Sequence, residues 1–454
     1  MRRAKTFRSA PRLVLAAIIG VQVTTAMAIL LLKPPGEPND EIDHVRNIQT
    51  IAEGHAYEMK PGSGLEANQP PLYYVLVAGW QRMLGVEPKV PVAVPNRDCQ
   101  VRNLQGERPA CWLLRHDTVD EAENKRLVRL LRVPSVLLAV ATTLFTAAAA
   151  RRLGRSRWTP VVAAGVVVGV TRFEFVSAAV TNDMLVNALA AAGTYLAVAA
   201  ATASGRQGLP SLRNSSGGQK SSVAVPAALG VVVAGLLLTK LTGTLLIPGL
   251  VLAAALSGHN RREALRAVAV LVVVSLALSG WWLLRNLDQH GDPLAVAATA
   301  DYLRNEVPFV FASVPAAERA FERVPNELWS GFWYASYHVR WSWWVYLLFW
   351  TLTLGGVVGV VVPGKRSGPG TPRAAIAVLG VLAIGGLAGL WIIGLQTIAA
   401  QARHVYPALP AIACLVALGL ERVRVPVAAR FVLPVLGMVA SWAVIVSDVV
   451  NISD

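Results

Sequence analysis

The sequence predicts an all-α protein that crosses a membrane many times. Of its 454 residues, 54% are hydrophobic and only 15% charged, where a soluble domain carries about 25% charged residues. Mean hydropathy is +0.49. The apolar residues fall in blocks of about 17–25, the helical length that crosses about 30 Å of hydrocarbon. The net charge of +15 sits mostly in short segments between those blocks, the pattern by which cytoplasmic loops fix topology. No soluble region interleaves a basic stripe with aromatics, so no nucleic-acid partner is expected.

Each block is placed by what bounds it. The basic start MRRAKTFRSAPR leads into a span over 13–32. That run is too long for the apolar part of a signal peptide and lacks a clean small-residue cleavage site, so it is expected to be retained with its N-terminus cytoplasmic. Further spans are expected at 127–150, 159–178, 185–203, 223–238, 241–257, 267–284, 344–362, 374–395, 405–420 and 431–446, giving a bundle of about eleven transmembrane helices. The basic loops around Arg151–Arg157, Arg206–Lys220, Arg261–Arg266, Lys365–Arg373 and Arg422–Arg430 then fall inside. Asp40, Glu41, Asp183, Lys240, Arg285, Asp292, Arg403 and His404 fall outside. Trp281 and Trp282 suit the aromatic belt at the interface.

One domain, 1–454, is expected, with two large outer loops at 33–126 and 286–340. The first begins EPNDEIDHVRNIQTI, in which apolar residues at 42, 45, 48 and 51 recur at helical spacing. That predicts an amphipathic surface helix, with Asn39 or Asp40 as its cap. Pro70 and Pro71 open PLYYVLVAGWQRML, about 14 residues, short for a span and suited to an interfacial or re-entrant helix. If 71–84 crossed, Arg151–Arg157 would fall outside, against the charge rule. Cys99 and Cys111 share the polar stretch that follows. They either pair as a disulfide in an oxidising compartment or remain two thiols.

Acidic and His side chains held against a bilayer are costly unless they have work to do. Glycosyl transfer needs a base to take the proton of an acceptor hydroxyl, and positive groups or a metal to stabilise a departing phosphate. Asp40 is the choice for the base. Its neighbour Glu41 cannot face the same way along a helix, so one carboxylate addresses the reaction and the other structures the loop. Their ordinary reading is as helix N-terminal acids favoured by the dipole. Asp183, in TNDML, is either a cap or a group that orders the base or holds a divalent ion. Lys240, in LLLTKLTG, either snorkels at the interface or binds phosphate. Arg285, Arg403, His404 and Lys60 are further phosphate candidates, guanidinium matching phosphate geometry. His44 could touch phosphate, or ligate metal beside Asp40 and Asp183, although no dedicated metal spacing exists. The aromatics of WSGFWYASYHVRWSWW are either belt anchors or the lining of a sugar or prenyl groove.

The ordered set DEIDH, NQPPLYY, TNDML, LTKLTG, WWLLRNLDQHGDP and QARHVYPALP resembles the bacterial polyprenyl-phosphate-dependent glycosyltransferases of the GT-C class. It is similar to the protein O-mannosyltransferases (glycosyltransferase family 39) and the aminoarabinose transferases of lipid A. The likeness covers about residues 13–420. It implies a cytoplasmic-membrane enzyme that takes sugar, on the outer face, from a polyprenyl-phosphate-sugar co-substrate within the lipid. The acceptor it implies is an envelope glycan, lipid or protein. The family's first-loop acid falls on Asp40, with Glu41 beside it. A Lys that meets the carrier phosphate before the paired prolines is replaced here by Gln69, so Lys60, Lys240, Arg285 or Arg403 is expected to compensate. His44, Gln69, Tyr73, Tyr74, Asn182 and Asp292 are expected to support the acceptor, the sugar or the loop. Acceptor recognition is expected from 86–124 and 286–340.

Two other readings compete. A transporter or flippase of lipid-linked glycans would show broken spans in matched halves with midplane polar sites. An inactive membrane scaffold would tolerate Gln69.

Overall fold

In the computed structural model the described residues are 2–33, 35–36, 40–55, 58–59, 66–86, 92–95, 112–115, 121–206, 221–306, 318, 321–322, 324–331, 343–361, 373–396 and 401–453. Helices dominate. In chain order they are α1 (Arg2–Leu32), α2 (Glu41–Ala52), α3 (Leu72–Met83), α4 (Glu121–Leu153), α5 (Thr159–Val168), α6 (Thr171–Ser177), α7 (Asp183–Arg206), α8 (Ser221–Leu237), α9 (Ile247–Leu256), α10 (Arg261–His290) and α11 (Val296–Glu306). They continue with α12 (Trp343–Gly359), α13 (Arg373–Gln396), α14 (Leu409–Arg422) and α15 (Val432–Ser453). A small antiparallel ribbon, β1 (Val92–Pro95) with β2 (Trp112–Arg115), pairs Val92 with Arg115 in the first large loop.

Seven of the described helices are long and apolar enough to cross a bilayer, or eight if the bent pair α5–α6 is one span. Three of the expected spans appear as shorter apolar helices, Val223–Leu237, Leu241–Leu256 and Trp343–Gly359. Length and composition therefore support fewer certain crossings than the expected eleven. The span expected over 159–178 is not one straight helix. It breaks after Gly169 and turns by 70°, because Val170 is extended. At the break Gly169 lies against Pro434, where a side chain would be crowded.

Burial ranks the helices. In the apolar window of Ala402–Arg422, 89% of residues are buried, and in that of α7 78%, against 22% for α10. So α7 and α14 form the centre, while α10 turns Val273, Leu276 and Leu284 outward, a face suited to lipid. The main core runs through α4, α5, α7, α9, α13 and α14. α1 is pinned to the bent segment by Gln22, whose Nε2 donates to Glu174 Oε1 at 3.4 Å.

The two helices of the first loop are as the periodicity predicts. Val45 and Ile48 of α2 pack with Tyr73, Tyr74 and Val77 of α3 against Leu127, Val128 and Leu131 of α4 and Val180. The N–H of Leu72 donates to the carbonyl of Leu238 at 2.8 Å, tying the start of α3 to the end of α8. At the opposite end of the bundle, Glu421 of α14 accepts from the N–H groups of Arg155 and Ser156, both at 2.9 Å. The basic turn at Arg155 and the α14 C-terminus thus share the end remote from α2 and α3.

Helices α12 and α14 cross so closely that a Cβ on Gly419 would overlap the carbonyl of Gly356. A Cβ on Gly380 of α13 would meet nothing within 4 Å among the described residues. Gly419→Val is therefore expected to destabilise by about 1–3 kcal/mol through overpacking, and Gly380→Ala to leave stability unchanged or slightly raised. Thermal melting of the detergent-solubilised protein distinguishes the two.

Candidate active site

Each polar residue of the site sits where a helix starts, ends or breaks. Asp40 occupies the N-cap of α2 with φ 62° and makes no capping hydrogen bond with its side chain. The left-handed conformation costs a non-glycine residue about 1 kcal/mol, least for Asp and Asn. What holds Asp40 there is Arg403, whose Nη2 meets Asp40 Oδ2 in a close ion pair. Arg403 lies on the 3-10 turn Ala402–Ala408 that leads into α14. That turn is closed by a reciprocal cap in which the N–H of Gln401 donates to His404 Nδ1 at 3.1 Å.

Arg403 also reaches Asp183 Oδ2, at 3.5 Å. Asp183 opens α7, and its other oxygen accepts from Lys240 Nζ at 2.6 Å. Lys240 is extended, at the break between α8 and the 3-10 segment Leu241–Leu246. Its Nζ also donates to Asn182 Oδ1 at 3.3 Å, and Asn182 Nδ2 donates to Gln69 Oε1 at 3.1 Å. One chain of contacts thus runs Asp40, Arg403, Asp183, Lys240, Asn182, Gln69, joining five separate segments. Asp183, Lys240 and Arg403 are all at least nine-tenths buried.

Glu41 faces elsewhere. Its two oxygens accept from Nε and Nη2 of Arg132, both at 2.7 Å, and from the N–H groups of Val180 at 3.0 Å and Gly36 at 2.8 Å. Glu41 is 1% and Arg132 0% exposed, so this carboxylate braces the loop against α4 and is closed to a substrate. Arg285 also stands apart from the chain. Its guanidinium lies over Trp282, 4.7 Å from the ring centroid, in a cleft of about 220 Å³. Asn68, Pro70, Leu237, Leu241 and Trp282 also line that cleft, which flanks Gln69 and Lys240 in sequence. Asp292 accepts from the N–H groups of Leu294 and Val296 at 2.9 and 2.7 Å, a turn ahead of α11. Lys60, Cys99, Cys111 and most of the aromatic run after Trp329 lie outside the described residues.

Behind Asp40, His44 Nδ1 pairs with Tyr74 Oη at 2.9 Å, and the two rings stack 5.8 Å apart. Tyr73 Oη accepts from the N–H of Thr181 at 2.9 Å, joining α3 to the turn that presents Asn182 and Asp183. Burial pushes the Asp40 carboxyl up, but Arg403 outweighs it and holds the group below the usual carboxylate range. Burial, aided by the charge of Lys240, pushes His44 down to about 4, so its imidazole is neutral at pH 7. Burial and the nearby Asp40 push Glu66 up to about 7.

Glu66, Arg132 and Arg172 are absent from the sequence-based set. Arg172 donates to Gln401 Oε1 at 2.9 Å and approaches Glu327 Oε2 at 3.4 Å, bracing the turn that carries Arg403. Arg132 left a signal, since an arginine inside an apolar run is expensive unless paired. Glu66 left none: it lies in an irregular stretch with no periodicity. The described residues show no built site for a divalent cation. Among the described residues no group of three or more His, Cys, Asp and Glu side chains converges. Asp40 and Asp183, which share Arg403, each carry a cationic partner.

In fold, this helical membrane bundle is similar to solved glycosyltransferases of the GT-C class. Among solved structures, the chain is similar to ArnT from Cupriavidus metallidurans, crystallised with undecaprenyl phosphate. The TM-score is 0.51 at 16% identity, over 90% of this chain and 60% of that one. It is also similar to the oligosaccharyltransferase of Archaeoglobus fulgidus in its apo form, with a TM-score of 0.50 at 13% identity, over 90% of this chain and 50% of that one. The chain thus spans between half and about 60% of the length of these neighbours, and at such identities the likeness is one of fold. No protein-family model and no curated protein sequence matches.

The buried pairs give two expectations. Arg132→Leu leaves Glu41 buried and unpaired, so it should cost about 3–5 kcal/mol, read as a lowered melting temperature. His44 binds its proton at about 4 when folded, against 6.5 for the free group. The unfolded chain therefore takes up protons first, so the His44 contribution is complete above about pH 6.5 and is lost as pH falls toward 4. Melting followed over that interval should fall more steeply for the wild type than for His44→Gln.

Proposed function

We propose that this chain transfers a sugar from a polyprenyl-phosphate-linked donor to a cell-envelope acceptor, at the outer face of the cytoplasmic membrane. The observation that carries the reading is the buried chain Asp40–Arg403–Asp183–Lys240, which sets two cations beside two carboxylates at one end of a membrane bundle. The undecaprenyl phosphate bound by ArnT supports a prenyl phosphate as carrier, and the cleft at Trp282 and Arg285 is lined in part by Asn68, Pro70 and Leu241, the sequence neighbours of Gln69 and Lys240. The outer face is favoured because the Arg155 turn, part of a basic loop, lies at the other end.

In this reading the donor phosphate binds between Lys240 and Arg403, point charge and planar fork together. Lys240 supplies the charge that a Lys at the position of Gln69 would supply, and Gln69 instead holds Asn182 against it. Asp183 keeps both cations in place while they share the incoming anion. Before the donor arrives, Arg403 binds Asp40 and depresses its basicity. A phosphate that draws Arg403 toward itself restores it, so Asp40 becomes an effective base once the donor is in place.

Asp40 then takes the acceptor hydroxyl proton. The acceptor oxygen bonds the anomeric carbon, and the carbon–oxygen bond to phosphate breaks with its electron pair leaving on the phosphate. The two cations stabilise that charge in a site of low dielectric. Acceptor identity would be read by the large loops, which border the cluster through α2, α3 and Glu327.

Asp40→Asn should lower kcat by about 10²–10⁴-fold, the usual contribution of a positioned base, with donor binding retained. Lys240→Met should weaken donor binding as well. The measurement is transfer of label from a prenyl-phospho-sugar in proteoliposomes. Full turnover by Asp40→Asn, or movement of label across the bilayer without transfer, contradicts the reading.

A further inference from the structure

Beside the ion-pair chain lies a second polar pair that the transfer step does not use. Glu66 Oε2 and His44 Nε2 approach to 4.0 Å, and neither atom has a hydrogen-bond partner among the described residues. His44 is 0% and Glu66 8% exposed. Both residues are held from behind. The Glu66 carbonyl accepts from Asn47 Nδ2 at 2.7 Å and from the N–H of Gln69 at 3.1 Å. His44 is fixed by Tyr74. An unsatisfied buried carboxylate oxygen facing an unsatisfied imidazole nitrogen is costly, and it persists here beside the charge cluster.

The groups that act on Glu66 come from every element around it: Asp40 before α2, His44 on α2, Asp183 on α7, Lys240 at the α8 break and Arg403 on the 3-10 turn. Asp40 and Asp183 balance Lys240 and Arg403, and His44 is neutral. Glu66 alone therefore decides whether the site is neutral or carries one negative charge.

We propose that Glu66 takes up a proton when a phosphate enters beside Lys240 and Arg403, so that anion binding at this site is proton-coupled. The inference rests on the donor reading above and adds a coupling to it. An incoming phosphate brings negative charge toward Glu66 and engages the two cations that favour its ionised form. Both changes strengthen its hold on a proton, and neither has to overcome water in a buried site. Burial and Asp40 have already brought Glu66 to about 7, so its ionised fraction near neutral pH is large enough for the uptake to be measured. The product phosphate monoester carries more negative charge than the donor diester, so the proton stays on Glu66 through transfer.

The test uses the full chain in detergent micelles and farnesyl methyl phosphate, a diester whose single charge is fixed across pH 5.5–8.5. Calorimetric titration in two buffers of different ionisation enthalpy counts the protons taken up. The wild type should take up about half a proton per ligand at pH 7, and its affinity should fall toward about tenfold per pH unit above that. Glu66→Gln, neutral at every pH, should bind with no uptake and a flat profile. Glu66→Asp, which keeps a carboxylate, should retain uptake and serves if the Gln variant does not fold. Measurable binding by the wild type without proton uptake, or uptake undiminished in Glu66→Gln, overturns the coupling and leaves the donor reading intact. No binding by the wild type at any pH overturns both.

Discussion

Arg403 is the side chain on which the arrangement of the site depends. Among the described residues it is the one cation that touches both Asp40 and Asp183, carboxylates more than 140 residues apart in the chain. Removing two carboxylates from water into a bundle interior costs several kcal/mol each unless the charge is returned in good geometry. A planar guanidinium returns it to both at once. The cost of Asp40's left-handed backbone is met by the same contact, so the N-terminus of α2 and the entry to α14 hold each other in place. Arg172 and Glu327 act one layer further out: Glu327 Oε2 accepts from the N–H of Ala402 at 3.2 Å, fixing the backbone from which Arg403 extends.

The polar residues gather at helix breaks for a physical reason. Within hydrocarbon every backbone group must be paired inside the protein, and irregular chain is tolerated only where protein or a cavity surrounds it. Asp40, Asn182, Lys240 and Gln401 are all non-helical positions at the mouth of the bundle, and each is followed by a helix or 3-10 turn. The free N–H groups at those starts favour nearby negative charge, which suits the proposed binding of an anion. Straight helices through the same volume would have exposed no such groups. The 70° bend after Gly169 belongs to the same economy of form, since it delivers Arg172 toward Gln401 while α5 stays in the core.

Much of this was legible in the sequence because hydrophobic blocks and periodicity are local. The apolar runs, the amphipathic α2 and the short α3 after Pro70–Pro71 follow from spacing alone. Asp40, Asp183, Lys240 and Arg403 stand out because charge beside apolar runs is expensive. What spacing cannot carry is pairing across the fold. Nothing local distinguishes Asp40, bound to Arg403, from Glu41, bound to Arg132, although the two are adjacent. Arg285 and Asp292 resemble the site residues in composition and flanking sequence, yet one lies over Trp282 and the other closes a turn. Glu66 acquires its character wholly from neighbours contributed by α2, α7, the α8 break and the 3-10 turn before α14.

Charge balance links these features to function. With two cations and two carboxylates interleaved, the resting cluster is close to neutral and stable without a ligand, which a bare cationic pocket buried to this degree would not be. The same interleaving makes it responsive. An anion that satisfies Lys240 and Arg403 competes with Asp183 and Asp40 for them, and the carboxylate released most readily is Asp40, the more exposed of the two, with its side chain 25% accessible against 4% for Asp183. Asp183 remains clamped between both cations. In the proposed reading, the asymmetry in burial divides the labour between two chemically identical groups, one fixed as a scaffold for positive charge and the other free to accept a proton.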